Sequence, residues 1–114
     1  MSMKNLKGKI GFIDNRDLRI PKDGGHYAYI RSYDKGRCDV NLITSLDDGR
    51  NFQNAKIEKV RKGFLYPIPK GDCNFAKWSG INLTVLRDIP ANKIKPTKKY
   101  IKKRHRFYVG KFGR

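Results

Sequence analysis

Residues 26–45 read His-Tyr-Ala-Tyr-Ile-Arg-Ser-Tyr-Asp-Lys-Gly-Arg-Cys-Asp-Val-Asn-Leu-Ile-Thr-Ser, and they leave little choice of local structure. From Tyr27 to Ser32 the chain is rich in aromatic and β-branched side chains. From Arg37 to Thr44, Cys38, Val40 and Leu42 alternate with Arg37, Asp39 and Asn41. A period of two places one set inside and the other in water. Between the arms, Tyr33-Asp34-Lys35-Gly36 is turn chemistry, with Gly36 free to take a left-handed conformation. The prediction is a β-hairpin whose second arm ends in Ile43-Thr44-Ser45, two hydroxyls facing a Gly/Asp-rich loop.

The rest of the chain supplies short strands to arrange around this hairpin. The segment from Gly8 to Asp14 is a strand with Ile10 and Phe12 on one face. Residues 15–25 form a polar loop broken by Pro21 and Gly24-Gly25. A second polar loop runs from Leu46 to Asn54, where Asp47-Asp48 sits in a turn. The stretch from Ala55 to Arg61 reads as a short strand, with Ile57 and Val60 poorly placed for its period. Gly63 to Pro69 reads as an edge strand, since its two prolines remove donors. A third loop carries Phe75 and the sole tryptophan, Trp78. Ile81 to Ile89 is a further strand, followed by a possible helical turn at Pro90. Short strands at close spacing with Gly/Pro turns predict a small all-β barrel with long loops and minor helix.

Charge sets the partner. The 114 residues include 27 basic and 10 acidic ones, a net +17. Such an excess implies a polyanion, nucleic acid or an anionic membrane. No apolar run approaches the length of a membrane span, and nothing resembles a signal peptide. The two cysteines have no metal-type spacing. Cys38 reads as core, Cys73 as a loop thiol, and both are expected reduced in a cytoplasm. With two histidines besides, a structural metal or other cofactor is not expected.

The excess concentrates at the C-terminal end. Residues 91–114 hold ten basic side chains and no acid, so removing them takes the chain from +17 to +7. The expected division is a barrel over 1–94 and a basic aromatic extension over 95–114. In the extension Lys98, Lys99, Lys102, Lys103, Arg104 and Arg106 interleave with Tyr100, Phe107 and Tyr108. Cations on phosphates with rings on bases is the usual pattern of single-stranded nucleic-acid binding. The alternative is a solvated tail whose rings dock on the barrel. Arg106 to Val109 is expected to be a last strand, with Phe107 and Val109 packing.

Two motifs carry a family likeness: Val40-Asn41-Leu42-Ile43-Thr44-Ser45, and Ser79-Gly80-Ile81 leading to Leu86-Arg87-Asp88-Ile89. Over residues 8–94 the chain resembles the PemK/MazF-like toxins of the CcdB/PemK superfamily. The resemblance implies an SH3-like barrel with a small helix, a homodimer, and a metal-independent endoribonuclease silenced by an acidic antitoxin protein. Thr44 matches the family's catalytic threonine. The family's Arg-Pro pair is replaced by Gly25-His26, and Arg19, before Ile20-Pro21, is its candidate substitute. Arg87 and Asp88 fall where some relatives keep an arginine and an aspartate, although the family's Asp-Gln pattern there is missing.

Cleavage by attack of an RNA 2′-hydroxyl on the adjacent phosphate needs a base, an acid and a cation. The candidate catalytic set is therefore Thr44, Arg19, His26, Arg87 and Asp88. Each has a plainer reading. His26 is a titrating base or a hydrogen-bonded histidine at a strand start. Thr44 and Ser45 contact phosphate or cap a loop. Arg87 and Asp88 are catalytic or a surface pair. Trp78 and Phe75 stack on bases or anchor the core. His105 is an RNA contact or solvated. The function readings are an RNA-binding protein with endoribonuclease activity, a non-catalytic nucleic-acid-binding module, and a small regulator of a nucleoprotein or acidic protein.

Overall fold

The computed structural model describes residues 6–48, 50–103, 105 and 109. The chain is all-β, with an eight-residue α-helix and short 3₁₀ turns among the described residues. Its order is β1 (Lys9–Asp14), β2 (Gly25–Asp34), β3 (Arg37–Ser45), α1 (Asn54–Arg61), β4 (Leu65–Ile68), β5 (Ser79–Asn82), β6 (Leu86–Pro90) and β7 (Lys95–Tyr100). The strands form one antiparallel sheet in the order β4-β5-β3-β2-β1-β7, with β6 added on β3. No pairing joins β4 to β7 among the described residues, so closure into the expected barrel is not shown.

The hairpin is present, and its turn is tighter than expected. Asp34 pairs with Arg37, leaving Lys35 and Gly36 as a two-residue loop with φ of 51° and 77°. Positive φ at both central residues matches the right-handed twist of the arms. Cys38, Val40 and Leu42 do share one face, in a cluster with Ile13, Ala28, Ile30 and Ile94. The opposite face was expected in water; Arg37 is exposed and Asp39 half-buried, but Asn41 and Ile43 are buried. Ile43 joins Ile10, Tyr29, Ile68 and Ile81 there, and Ile101 and Val109 cover them. Asn41, on that face, is fully buried, with Nδ2 donating to the Asn82 carbonyl at 3.0 Å. In β1 the core residues are Ile10 and Ile13, while Phe12 is half-buried.

Residues 54–61 are helical, not a strand. Ile57 and Val60 are three apart, the spacing of one helix face, and with Lys56 they form the half-buried side. Ala, Glu, Lys and Arg at the remaining positions are good helix formers. Gly63 stops the helix at φ 79°. Its N–H reaches the Val60 carbonyl at 3.0 Å and the Phe64 N–H reaches Lys59 at 2.9 Å, a Schellman closure. A side chain in that conformation is strained by about 1–2 kcal/mol. Gly63→Ala is therefore expected to lower the unfolding free energy by about 1–2 kcal/mol, read as a lower urea midpoint with the slope unchanged.

The stretch read as one strand over residues 81–89 divides at a turn into β5 and β6, because Asn82 Oδ1 accepts the Thr84 N–H at 2.9 Å. Lys95–Tyr100, read as the start of an extension, pairs with β1 and belongs to the sheet. Val109 is helical rather than in a strand, and it packs in the core as expected. Cys73 is buried in the core rather than a loop thiol, beside Phe75. Neither cysteine is in a disulfide.

His105 is also buried, not solvated or offered to RNA. Its Nε2–H meets Asp72 Oδ2 at 2.9 Å, and Tyr66 Oη lies 2.6 Å from Nδ1. Lys102 Nζ holds the other Asp72 oxygen at 2.5 Å. Asp72, Cys73 and His105 present donor atoms within 4.8 Å of one another. The ammonium of Lys102 and the two ring contacts of His105 already engage that cluster. No helix among the described residues is long and apolar enough to cross a membrane.

Candidate nucleic-acid interface

The site begins with a glycine. A Cβ on Gly25 would stand 2.5 Å from the Ile13 carbonyl and 2.6 Å from the Phe12 ring, so β2 opens against β1 only if this residue has no side chain. No arginine fits at this position. His26 follows. Asn15, buried just after β1, donates Nδ2 to the Asp23 carbonyl at 3.2 Å, which turns Oδ1 toward His26 Nδ1 at 2.7 Å. An amide oxygen only accepts, so Nδ1 carries the proton. Nε2 keeps its lone pair, with no partner among the described residues. Burial and then the Lys56 ammonium hold the His26 pKa below its ordinary 6.5. The ring is thus neutral at pH 7, in the tautomer that can accept a proton.

Thr44 lies one step past the Tyr27–Ile43 pair, on the strand beside His26. Lys56 comes to it from α1. Its Nζ donates to Thr44 Oγ1 at 2.9 Å and to the Ser45 carbonyl at 2.9 Å. The hydroxyl oxygen accepts from lysine, so its proton is left to donate outward. Burial first, then Lys59, Lys22 and Lys77, lower the Lys56 pKa from 10.5. A cation crowded by cations and partly dehydrated gains most from an arriving anion.

His26, Thr44, Ser45 and Lys56 line a hollow of ≈ 370 Å³, to which Lys77 and Lys99 add positive charge. No carboxylate lines it among the described residues. Lys99 Nζ donates to the Asn74 carbonyl at 2.6 Å and sits 4.9 Å from the ring centres of both Tyr27 and Phe75. Those cation–π contacts fix the ammonium at the rim. Phe75 is core and groove floor together, as 4% of it is exposed.

The expected catalytic residues fall in two places. His26 and Thr44 meet in this groove, beside Ser45, which was expected as a phosphate contact. Arg19, Arg87 and Asp88 gather near the other end of β3, in a separate hollow. Arg19 takes a left-handed conformation, φ 59°, at the end of a 3₁₀ turn. Arg87 Nη1 bonds Asp39 Oδ2 at 3.1 Å, and Arg37 Nε bonds Asp88 Oδ1 at 2.8 Å. These crossed pairs fasten β6 to β3, with Asp88 strained at φ 65°. Arg87 and Asp88 thus pair at the surface, each with a partner on β3 rather than with the other. They are spoken for as structural ties and lie about 20 Å along the sheet from Thr44, at about 3.3 Å per residue.

Trp78 is half-buried, in edge contact with Phe52 at 5.7 Å. Its backbone N–H donates to Asp47 Oδ2 at 3.2 Å, and Asp48 Oδ1 accepts the Asn51 and Arg50 backbone N–H groups. The adjacent carboxylates are turn builders, and Asn51 and then Arg50 hold Asp48 below the usual carboxylate range. Lys98 and Lys103 are exposed, whereas Lys102 serves Asp72. Arg104, Arg106 and Tyr108 lie outside the described residues. Sequence reasoning missed Lys56, Lys77 and Asn15. Lys56 was hidden by reading α1 as a strand. No family model, curated protein or solved structure matches this chain.

Proposed function

We propose that this chain binds single-stranded RNA in the lysine-lined groove and cleaves it there without a metal ion. The observation that supports this reading is the meeting of a neutral, oriented histidine with the Lys56–Thr44 pair in a groove free of carboxylates. His26 Nε2 takes the proton of a ribose 2′-hydroxyl. The 2′-oxygen bonds to phosphorus, and the bond to the 5′-oxygen breaks. Lys56 and the Thr44 hydroxyl hold the charge that builds on the phosphoryl oxygens. The departing 5′-oxygen takes up a proton, for which the groove offers ammonium groups. The products are a 2′,3′-cyclic phosphate and a free 5′-hydroxyl. The likeness to the PemK/MazF-like toxins points to the same reaction class, with Thr44 shared and Gly25-His26 where the family has its Arg-Pro pair.

Among the described residues the groove holds no second histidine and no carboxylate, which favours one other reading, RNA binding without turnover. Incubating pure protein with single-stranded RNA and EDTA separates the two. Cyclic-phosphate ends are expected, and intact RNA bound at low salt would leave only the second. In either case affinity falls with salt by about 0.7 log units per log unit for each phosphate neutralised. Lys77→Ala, at an exposed position, is expected to reduce that slope by about 0.7. Point substitution is the right probe here, because truncation before Lys95 would remove β7 from the sheet.

A further inference from the structure

Among the described residues three large apolar side chains are mostly exposed: Phe52 at 50%, Phe64 at 57% and Tyr100 at 51%. Two of them border the groove. A hollow of ≈ 350 Å³ carrying Phe64 and Lys59 shares His26, Thr44 and Lys56 with the central one. Another, of ≈ 220 Å³, carries Phe52 and Trp78 with Arg50 and Lys70, and shares Ala76 and Lys77. The three hollows form one track with His26, Thr44 and Lys56 at its middle and an aromatic surface at each end.

Both aromatic ends are held in place. The Phe64 N–H is tied to Lys59 and its carbonyl accepts the Leu83 N–H at 3.0 Å. Phe52 is bridged to Asp47 and braced edge-on by Trp78 at 72°. Exposed rings at fixed positions, each flanked by cations, suit a strand whose bases stack while its phosphates are neutralised. Among the described residues the one carboxylate on the track, Asp47, accepts the Trp78 backbone N–H.

We propose that Phe64 on one side and Phe52 with Trp78 on the other are base-stacking subsites flanking the His26–Thr44–Lys56 centre, so that the ligand is an extended single strand of RNA crossing all three hollows. This rests on the groove being an RNA site.

The test uses the full chain and an end-labelled 2′-O-methyl oligouridine of about six nucleotides, within the usual single-strand site size. Such an RNA has no 2′-hydroxyl to react. Anisotropy reports binding, and Trp78, the sole tryptophan, reports stacking at its subsite. The RNA is expected to quench Trp78, whereas inorganic polyphosphate binds without quenching. Phe52→Ala and Phe64→Ala, both at exposed positions, are each expected to weaken RNA binding about tenfold.

RNA binding that is lost in Lys56→Ala, yet leaves Trp78 unquenched and is indifferent to both phenylalanines, overturns the track and leaves the groove reading standing. Quenching by polyphosphate as strong as by RNA, or a loss at only one phenylalanine, also overturns the two-sided arrangement. Absence of any RNA binding removes the groove reading itself.

Discussion

His26→Gln is expected to slow RNA cleavage by about 10²- to 10⁴-fold, the usual contribution of a positioned general base. RNA affinity should change by less than about threefold, since phosphate contacts carry most of the binding. Glutamine can still bond Asn15 but has no lone pair of comparable basicity. Single-turnover rates in EDTA, with binding measured on 2′-O-methyl RNA, separate the two quantities. The pH profile adds a second check. Burial and Lys56 hold His26 below 6.5, so the rate should rise with pH through a midpoint under that value and be flat across neutrality. It should fall again when Lys56, itself held below 10.5, loses its charge. The same shift acts on stability. Below pH 6.5 the unfolded chain binds more protons than the folded one at this histidine. Its contribution to stability is therefore complete above 6.5, declines as pH falls through 6.5, and levels off below the folded-state pKa. A wild-type rate in His26→Gln would sink the assignment.

The second large effect is structural. Asp72→Ala is expected to destabilise the fold by about 3–5 kcal/mol, the range for removing one partner of a buried pair. The Asp72 and His105 side chains are only 7% and 6% exposed. The loss leaves an imidazole facing a void and releases Lys102. Calorimetry should show Tm lowered by at least about 10 °C, on the scaling for domains of this size. Cleavage by the folded fraction at low temperature should match wild type, because the cluster does not line the groove. A loss under about 1 kcal/mol would show that the pair ties nothing down, and an equal loss of activity in fully folded protein would place it in the reaction.

Much of the sheet was legible because its signals are local. The hairpin announced itself through alternation and Lys35-Gly36, and Thr44 and His26 were placed at strand ends where they are found. Legibility failed where one segment served two purposes. Ile57 and Val60 fit a helix face, and Gly63 is a helix stop, yet Gly63 also looked like the start of the strand before Pro67. Reading the stop as a start concealed α1 and therefore Lys56. Charge counting gave an incomplete address for the cations. Lys102 answers Asp72, and Arg87 and Arg37 answer carboxylates on neighbouring strands. The groove lysines come instead from α1, β7 and the loop before β5. His105 was misplaced for a related reason: its carboxylate partner lies 33 residues away in sequence.

The pairing of β1 with β7 joins residues as distant as Lys9 and Tyr100. Contacts of that span close late, because a long loop must be ordered before they form. As the polypeptide leaves the ribosome, His26, Thr44 and Lys56 emerge well before Lys99. The groove therefore gains its last ammonium only when the outermost strand docks. A nascent chain thus presents an incomplete rim until the sheet is finished.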